Sequence, residues 1–201
     1  MADTNIFHSG GPEGNEDGPD CRQLEVLSAL SQEENATYSF QGLRRKLGLH
    51  QEMLSRTLDR LEEQDLVERM DDGYRINSSK ENLRFDYSIE TAPVETKVVT
   101  ACLPSSVNIS FVLGALKGRW FHEFRWLGYS QTSSGLTLSW ITDDGRIELR
   151  AKISENILTI SAVYRVKTDQ ERATTSALEL FDLVSRATKQ NSISREHGDL
   201  N

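Results

Sequence analysis

Residues Phe40–Ile76 read FQGLRRKLGLHQEMLSRTLDRLEEQDLVERMDDGYRI, and the spacing of apolar residues in this stretch decides the architecture. Phe40, Leu43 and Leu47 share one face of a short helix behind Ser39, a good N-cap, and Gly48 supplies the positive φ that ends it. After Leu49-His50, the residues Met53, Leu54, Leu58 and Leu61 return at helical spacing. LVERM then reads as a strand, DDG as a tight turn and YRI as a return strand. Upstream, Asp20 is placed to cap CRQLEVLSAL, whose Leu24, Leu27 and Leu30 (with Val26) give another helix, and SQEENATYS reads as a polar connector.

Three helices and a two-stranded hairpin follow the winged helix-turn-helix plan. The stretch resembles bacterial and archaeal regulators of the MarR, ArsR and Lrp type on these residues: Leu47-Gly48-Leu49 in the turn, Leu58 and Leu61 on the third helix, and Leu66-Val67 leading into the wing. Asp65 stands where such regulators commonly carry Gly, and Asp tolerates left-handed backbone better than most residues. The resemblance implies a third helix laid in the major groove with its N-terminal half at the base edges. The exposed positions there are Gln51, Glu52, Ser55, Arg56, Asp59 and Arg60. Arg56 suits a guanine and Gln51 an adenine, each good bidentate contact giving about 1–3 kcal/mol of discrimination. Arg44, Arg45 and Lys46 suit phosphates, and Arg69, Tyr74 and Arg75 of the wing suit backbone or minor-groove contact. Asp71-Asp72 reads as a turn.

Charge sets another reading beside this one. The chain of 201 residues carries a net −8. Residues 1–19 hold four acids and no base, and residues 20–80 hold nine bases against twelve acids. Global charge bears on solubility more than on a local docking face, so it does not exclude DNA. Glu52, Asp59, Glu62 and Glu63 nevertheless outnumber Arg56 and Arg60 on the third helix. Glu52 with Arg56 fits an ordinary surface pair at i,i+4 spacing, and the RRK run fits a solvated helix face. A protein–protein adaptor that does not bind DNA is therefore the alternative.

From Leu83 the pattern is strand-helix-four strands-helix. VETKVVTACLP is a strand closed by Pro104, and SSVNISFVLGALKGRW is a helix through Val107, Phe111, Val112 and Leu116. HEFRWLGYS, GLTLSWIT, RIELRAKIS and NILTISAVYRV alternate as strands separated by SSG, DDG and SEN turns. TTSALELFDLVSRATKQ closes with a helix through Leu178, Phe181, Leu183 and Val184. The expected fold is α+β: a winged helix, then an antiparallel sheet with two helices on one face. The element order is similar to one half of the TATA-binding-protein fold, by topology alone.

Phe124, Trp126, Leu136, Leu138, Trp140, Ile147, Leu149, Ala151, Ile153, Leu158, Ile160, Ala162 and Tyr164 form the expected core face. Arg125, Leu127, Tyr129, Thr137, Ser139, Glu148, Arg150, Lys152, Thr159, Ser161 and Arg165 fall on the other, which suits nucleic acid or an anionic effector but is expected to be a wet outer face. Trp120, Phe121, Phe124, Trp126 and Trp140 read as core in preference to a ligand pocket, with any exposed part offering a dimer surface.

Catalytic chemistry has little to stand on. His8, His50, His122 and His197 are scattered, there is no GxGxxG, GxxxxGK[ST] or GxSxG, and two cysteines, Cys21 and Cys102, expected to be buried and inert, make neither a disulfide framework nor a zinc site. No apolar run is long enough to cross a membrane, and no export signal leads the chain. The expectation is a cytoplasmic, non-enzymatic regulator without cofactor, dimeric on double-stranded DNA. Residues 1–19 are a disordered acidic leader, 20–80 the winged helix, 83–190 a dimerisation or effector domain open to a small molecule or protein, and 191–201 a flexible tail. A dimer sets two recognition helices about one DNA turn apart.

Overall fold

A computed structural model describes residues 19–77, 79, 93–104 and 107–196, with side chains to residue 188. The leader (apart from Pro19), most of the 78–92 connection, and the end of the tail, with His8 and His197, lie outside the described residues.

Helix α1 (Cys21–Leu30) opens on a capping box: Asp20 accepts the Arg22 and Gln23 N–H groups at 2.8 Å, and Gln23 accepts the Asp20 N–H at 2.7 Å. Ser39 caps α2 (Phe40–Leu47) by accepting the Gly42 N–H at 3.1 Å, and Gly48 ends it at φ 64°. Helix α3 (Gln51–Glu63) is followed by Asp65 at φ 57° and by the wing, β2 (Val67–Met70) and β3 (Gly73–Ile76). Then come β4 (Val94–Cys102), α4 (Ile109–Leu116), β5 (Phe124–Thr132), β6 (Gly135–Thr142), β7 (Ile147–Ser154), β8 (Ile157–Tyr164), a 3₁₀ turn at Lys167–Asp169 and α5 (Gln170–Glu196). The α+β plan is the one expected: three helices and a hairpin, then strand-helix-four strands-helix.

The polar connector is a correction. It contains β1 (Ala36–Tyr38), three buried residues that pair with Tyr74 of β3 on one side and with Gly128–Ser130 of β5 on the other. The wing and the C-terminal strands thereby belong to one eight-stranded sheet, in the order β2-β3-β1-β5-β6-β7-β8-β4.

The packing of α2 depends on a bulge. Trp126 pairs with Trp140 and Gly128 with Ser139, so Leu127 is the extra residue in β5. It is fully buried in the winged-helix core beside Ile141, not exposed on a wet face. Helix α2 lies directly on this bulge: a Cβ at Gly42 would meet the Leu127 carbonyl oxygen at 2.6 Å and its Cα at 2.8 Å. Beyond the bulge the alternation is inverted. Tyr129 therefore stands on the helix face with Leu138 and stacks on Trp126 at 6.4 Å, which corrects its expected place on the outer face.

Two cores result. Under α4 and α5, the thirteen-residue apolar face read from the sequence is buried together with Val112, Leu116 and the α5 stripe Ala173, Ala177, Leu180, Val184 and Ala187. Of the expected α5 residues, Val184 is in the core and Phe181 and Leu183 pack partly buried against it, whereas Leu178 is 49 % exposed, its place in the stripe taken by Ala173, Ala177, Leu180 and Ala187. Phe111 on α4 is likewise exposed, and Trp120, 66 % exposed, leaves the aromatic core for the Arg125 guanidinium, 4.6 Å from its ring. The second core joins α1, α2, α3 and β1 to Leu127 and Ile141. Both cysteines are exposed thiols, contrary to expectation. Among the described residues no helix is long and apolar enough to cross a membrane.

Candidate nucleic-acid interface

Helix α3 buries Leu54, Thr57, Leu58 and Leu61, while Met53 is turned outward. This leaves Gln51, Glu52, Arg56, Asp59 and Arg60 exposed, with Ser55 half-buried beside them. Arg56 is held against Glu52 at 2.5 Å, and Arg60 reaches Asp20 at 3.7 Å. Pairs this exposed contribute about 0–1 kcal/mol, so neither arginine is committed. His50 at the N-cap makes no side-chain hydrogen bond to the first turn of α3, whose N–H groups stay open on the same side.

The three basic residues of α2 do not act alike. Arg44 is half-buried without an ion pair among the described residues. Arg45 donates to Asp143, in the β6–β7 turn, at 2.9 Å. Lys46 meets Glu148 of β7 at 2.5 Å, and both side chains are close to nine-tenths buried. Glu148 also accepts from Arg150 at 2.6 Å, and Arg150 reaches Glu33, before β1, at 3.1 Å. Burial raises the Glu148 pKa, but the Lys46 and Arg150 charges and hydrogen bonds together outweigh it and hold the carboxyl below its usual range. Burial also drives the neighbouring Tyr38 hydroxyl strongly upward.

In the wing, Arg75 donates twice to Glu68, at 2.7 and 3.0 Å. Tyr74 is only 9 % exposed: its ring lies 6.3 Å from Phe40, and the Arg69 guanidinium covers it at 5.8 Å. Arg69 itself is exposed. Asp72 is more than a turn residue, because it pairs with Lys117 at the end of α4, and that ammonium lies 5.4 Å from the Tyr129 ring. Burial raises the Asp72 pKa, and hydrogen bonds from Lys117 and Tyr129 pull it down past its ordinary value.

The structure thus gathers Gln51, Glu52, Ser55, Arg56 and Arg60 on one open helix face. It turns Lys46, Arg45 and Tyr74 inward and engages Arg75 within the wing. Glu148, Arg150, Glu33, Asp143 and Lys117 were missed as partners of these residues. No local pattern marks them, since each pair joins segments far apart in the sequence: α2 to β7 and the β6–β7 turn, the wing turn to the end of α4, and the segment before β1 to β7. Among the described residues no group of three His, Cys, Asp or Glu side chains is placed to hold a metal.

Neither a curated protein nor a solved structure matches the chain significantly. Residues 21–73, which run from the start of α1 to the start of β3, match the MarR family model, so this stretch is similar to the winged helices of MarR transcription regulators.

Proposed function

We propose that the chain is a transcription regulator that reads duplex DNA with the open face of α3. The observation that carries this is the exposed set Gln51, Arg56 and Arg60, with the half-buried Ser55 beside them, on the third helix of a MarR-like winged helix. Arg56, released from Glu52, offers a bidentate donor to a guanine, and Gln51 a donor and acceptor to an adenine. Arg44, Arg69 and the uncapped start of α3 supply phosphate contacts. MarR regulators typically dimerise, and Phe111 and Leu178, exposed on two helices that touch, supply apolar surface for a second copy.

Selection of preferred duplexes with single-residue variants tests the assignment. Arg56→Ala should relax base preference at one position by about 1–3 kcal/mol, whereas Arg44→Ala should weaken all sequences alike and reduce the salt slope by about one. An Arg56→Ala protein with its preference unchanged would show that this arginine reads no base.

One observation favours the adaptor reading. With Arg45 and Lys46 spent internally, Glu52, Asp59 and Glu63 dominate what α3 shows, which suits a basic protein surface. Salt-sensitive DNA binding without any specific protein partner in a pull-down would remove it.

A further inference from the structure

Between the segment preceding β1 and the outer face of β6, β7, β8 and β4 lies a cleft of about 430 Å³. The size is that of a small-molecule site. Its floor is built by strand register. Arg150 of β7 and Lys97 of β4 stand on either side of Ser161 in β8, and Lys152 stands beside Thr159, two residues further along. With strands about 4.8 Å apart and about 3.3 Å per residue along them, the three cationic residues surround two hydroxyls within about 12 Å.

The charges are not balanced alike. Arg150 is already met by Glu148, Glu33 and Glu95, the last at 3.6 Å, and Ser161 donates to Glu95 at 2.7 Å. The Lys97 and Lys152 side chains have neither an ion pair nor a hydrogen bond among the described residues. Besides Glu33 and Glu95, Glu155 also lines the cleft and stands exposed at the β7–β8 turn.

We propose that this cleft binds a phosphate monoester of a hydroxylated small molecule. Two unpaired ammonium groups facing one cavity match a group that carries close to two negative charges at neutral pH. The rim carboxylates accept from hydroxyls of the sugar-like part of the ligand, and the floor offers the Thr159 hydroxyl and the acceptor side of the Ser161 hydroxyl. A duplex is too wide for a cleft of this volume. The position gives the ligand a lever, because Arg150 joins the sheet to Glu33, which precedes β1 on the winged-helix side. A phosphate that draws Arg150 away from Glu33 loosens that joint, so ligand and DNA affinities are coupled reciprocally. The coupling rests on the DNA-binding reading, and the site does not.

Thermal unfolding of the whole chain with inorganic phosphate, ribose phosphate or adenosine monophosphate at about 10 mM tests the site, with ribose and adenosine as controls. The expected result is a rise of about 5 °C with the two esters, less with inorganic phosphate and none with the controls. The Lys97→Ala/Lys152→Ala protein, altered only at exposed positions, should bind the esters at least about tenfold more weakly by calorimetry. No shift with any phosphate, or an equal shift in the double variant, overturns the proposal. DNA binding measured on the same preparation keeps the two readings apart. Ester binding without DNA binding supports the site and overturns the coupling, whereas DNA binding without ester binding overturns the site.

Discussion

Replacing Glu148 with Ala is expected to cost about 3–5 kcal/mol in urea unfolding, because it leaves Lys46 and Arg150 charged and facing each other inside the protein. Glu148 is 5 % exposed, and its carboxyl is the common partner of both cations. Removing the cation and the anion together is milder: Lys46→Met/Glu148→Leu should recover most of the loss, since Arg150 keeps Glu33 and Glu95. A pH dependence accompanies this. The folded-state pKa of Glu148 lies below its ordinary 4.5, so the group's stabilisation is complete above that value and is lost as pH falls through the lower folded value. The wild-type protein should therefore lose stability in acid more steeply than Lys46→Met/Glu148→Leu. A loss under about 1 kcal/mol for Glu148→Ala would mean that the joint between α2 and β7 is open to water.

Leu127→Ala separates the bulged sheet from the one that plain alternation gives. On a wet outer face the change would fall within about 0.5 kcal/mol. Leu127 is instead fully buried under α2, so the expected cost is about 2–5 kcal/mol, with the urea slope unchanged. An intact stability would place α2 away from the strand.

These two residues also show where sequence reading stops. The three helices and the wing were legible because each carries its own local signal: Asp20 and Ser39 as caps, Gly48 as the stop, and an apolar stripe through Leu54, Leu58 and Leu61. The four long strands were legible through alternation, and all thirteen residues read as core are buried. What failed was non-local. Ala36–Tyr38 is too short and too polar in its surroundings to announce a strand, and it becomes one only because β3 and β5 offer edges on both sides. A single inserted residue at Leu127 inverts the alternation after it, and nothing in FRWLGYS says where the insertion falls.

The candidate interface divides along the same line. Helical periodicity gives the outward face of α3 directly, so Gln51, Glu52, Arg56 and Arg60 were read as outward-facing and stand exposed. Periodicity within α2 cannot tell a solvated basic face from one that meets carboxylates far along the chain, and Lys46 met Glu148. Tyr74 was turned inward by the same neighbour, β1, that the sequence concealed.

The most direct test of the DNA-binding account is fluorescence anisotropy of the purified chain with random-sequence duplex across a salt series. Among the described residues of this face, Arg44, Arg60 and Arg69, with Arg56 where no guanine meets it, are left to reach phosphates, so log affinity should fall linearly with log salt at a slope of up to about −4 per protomer. No binding at low salt would contradict the account and make the acidic side of α3 a protein-docking surface.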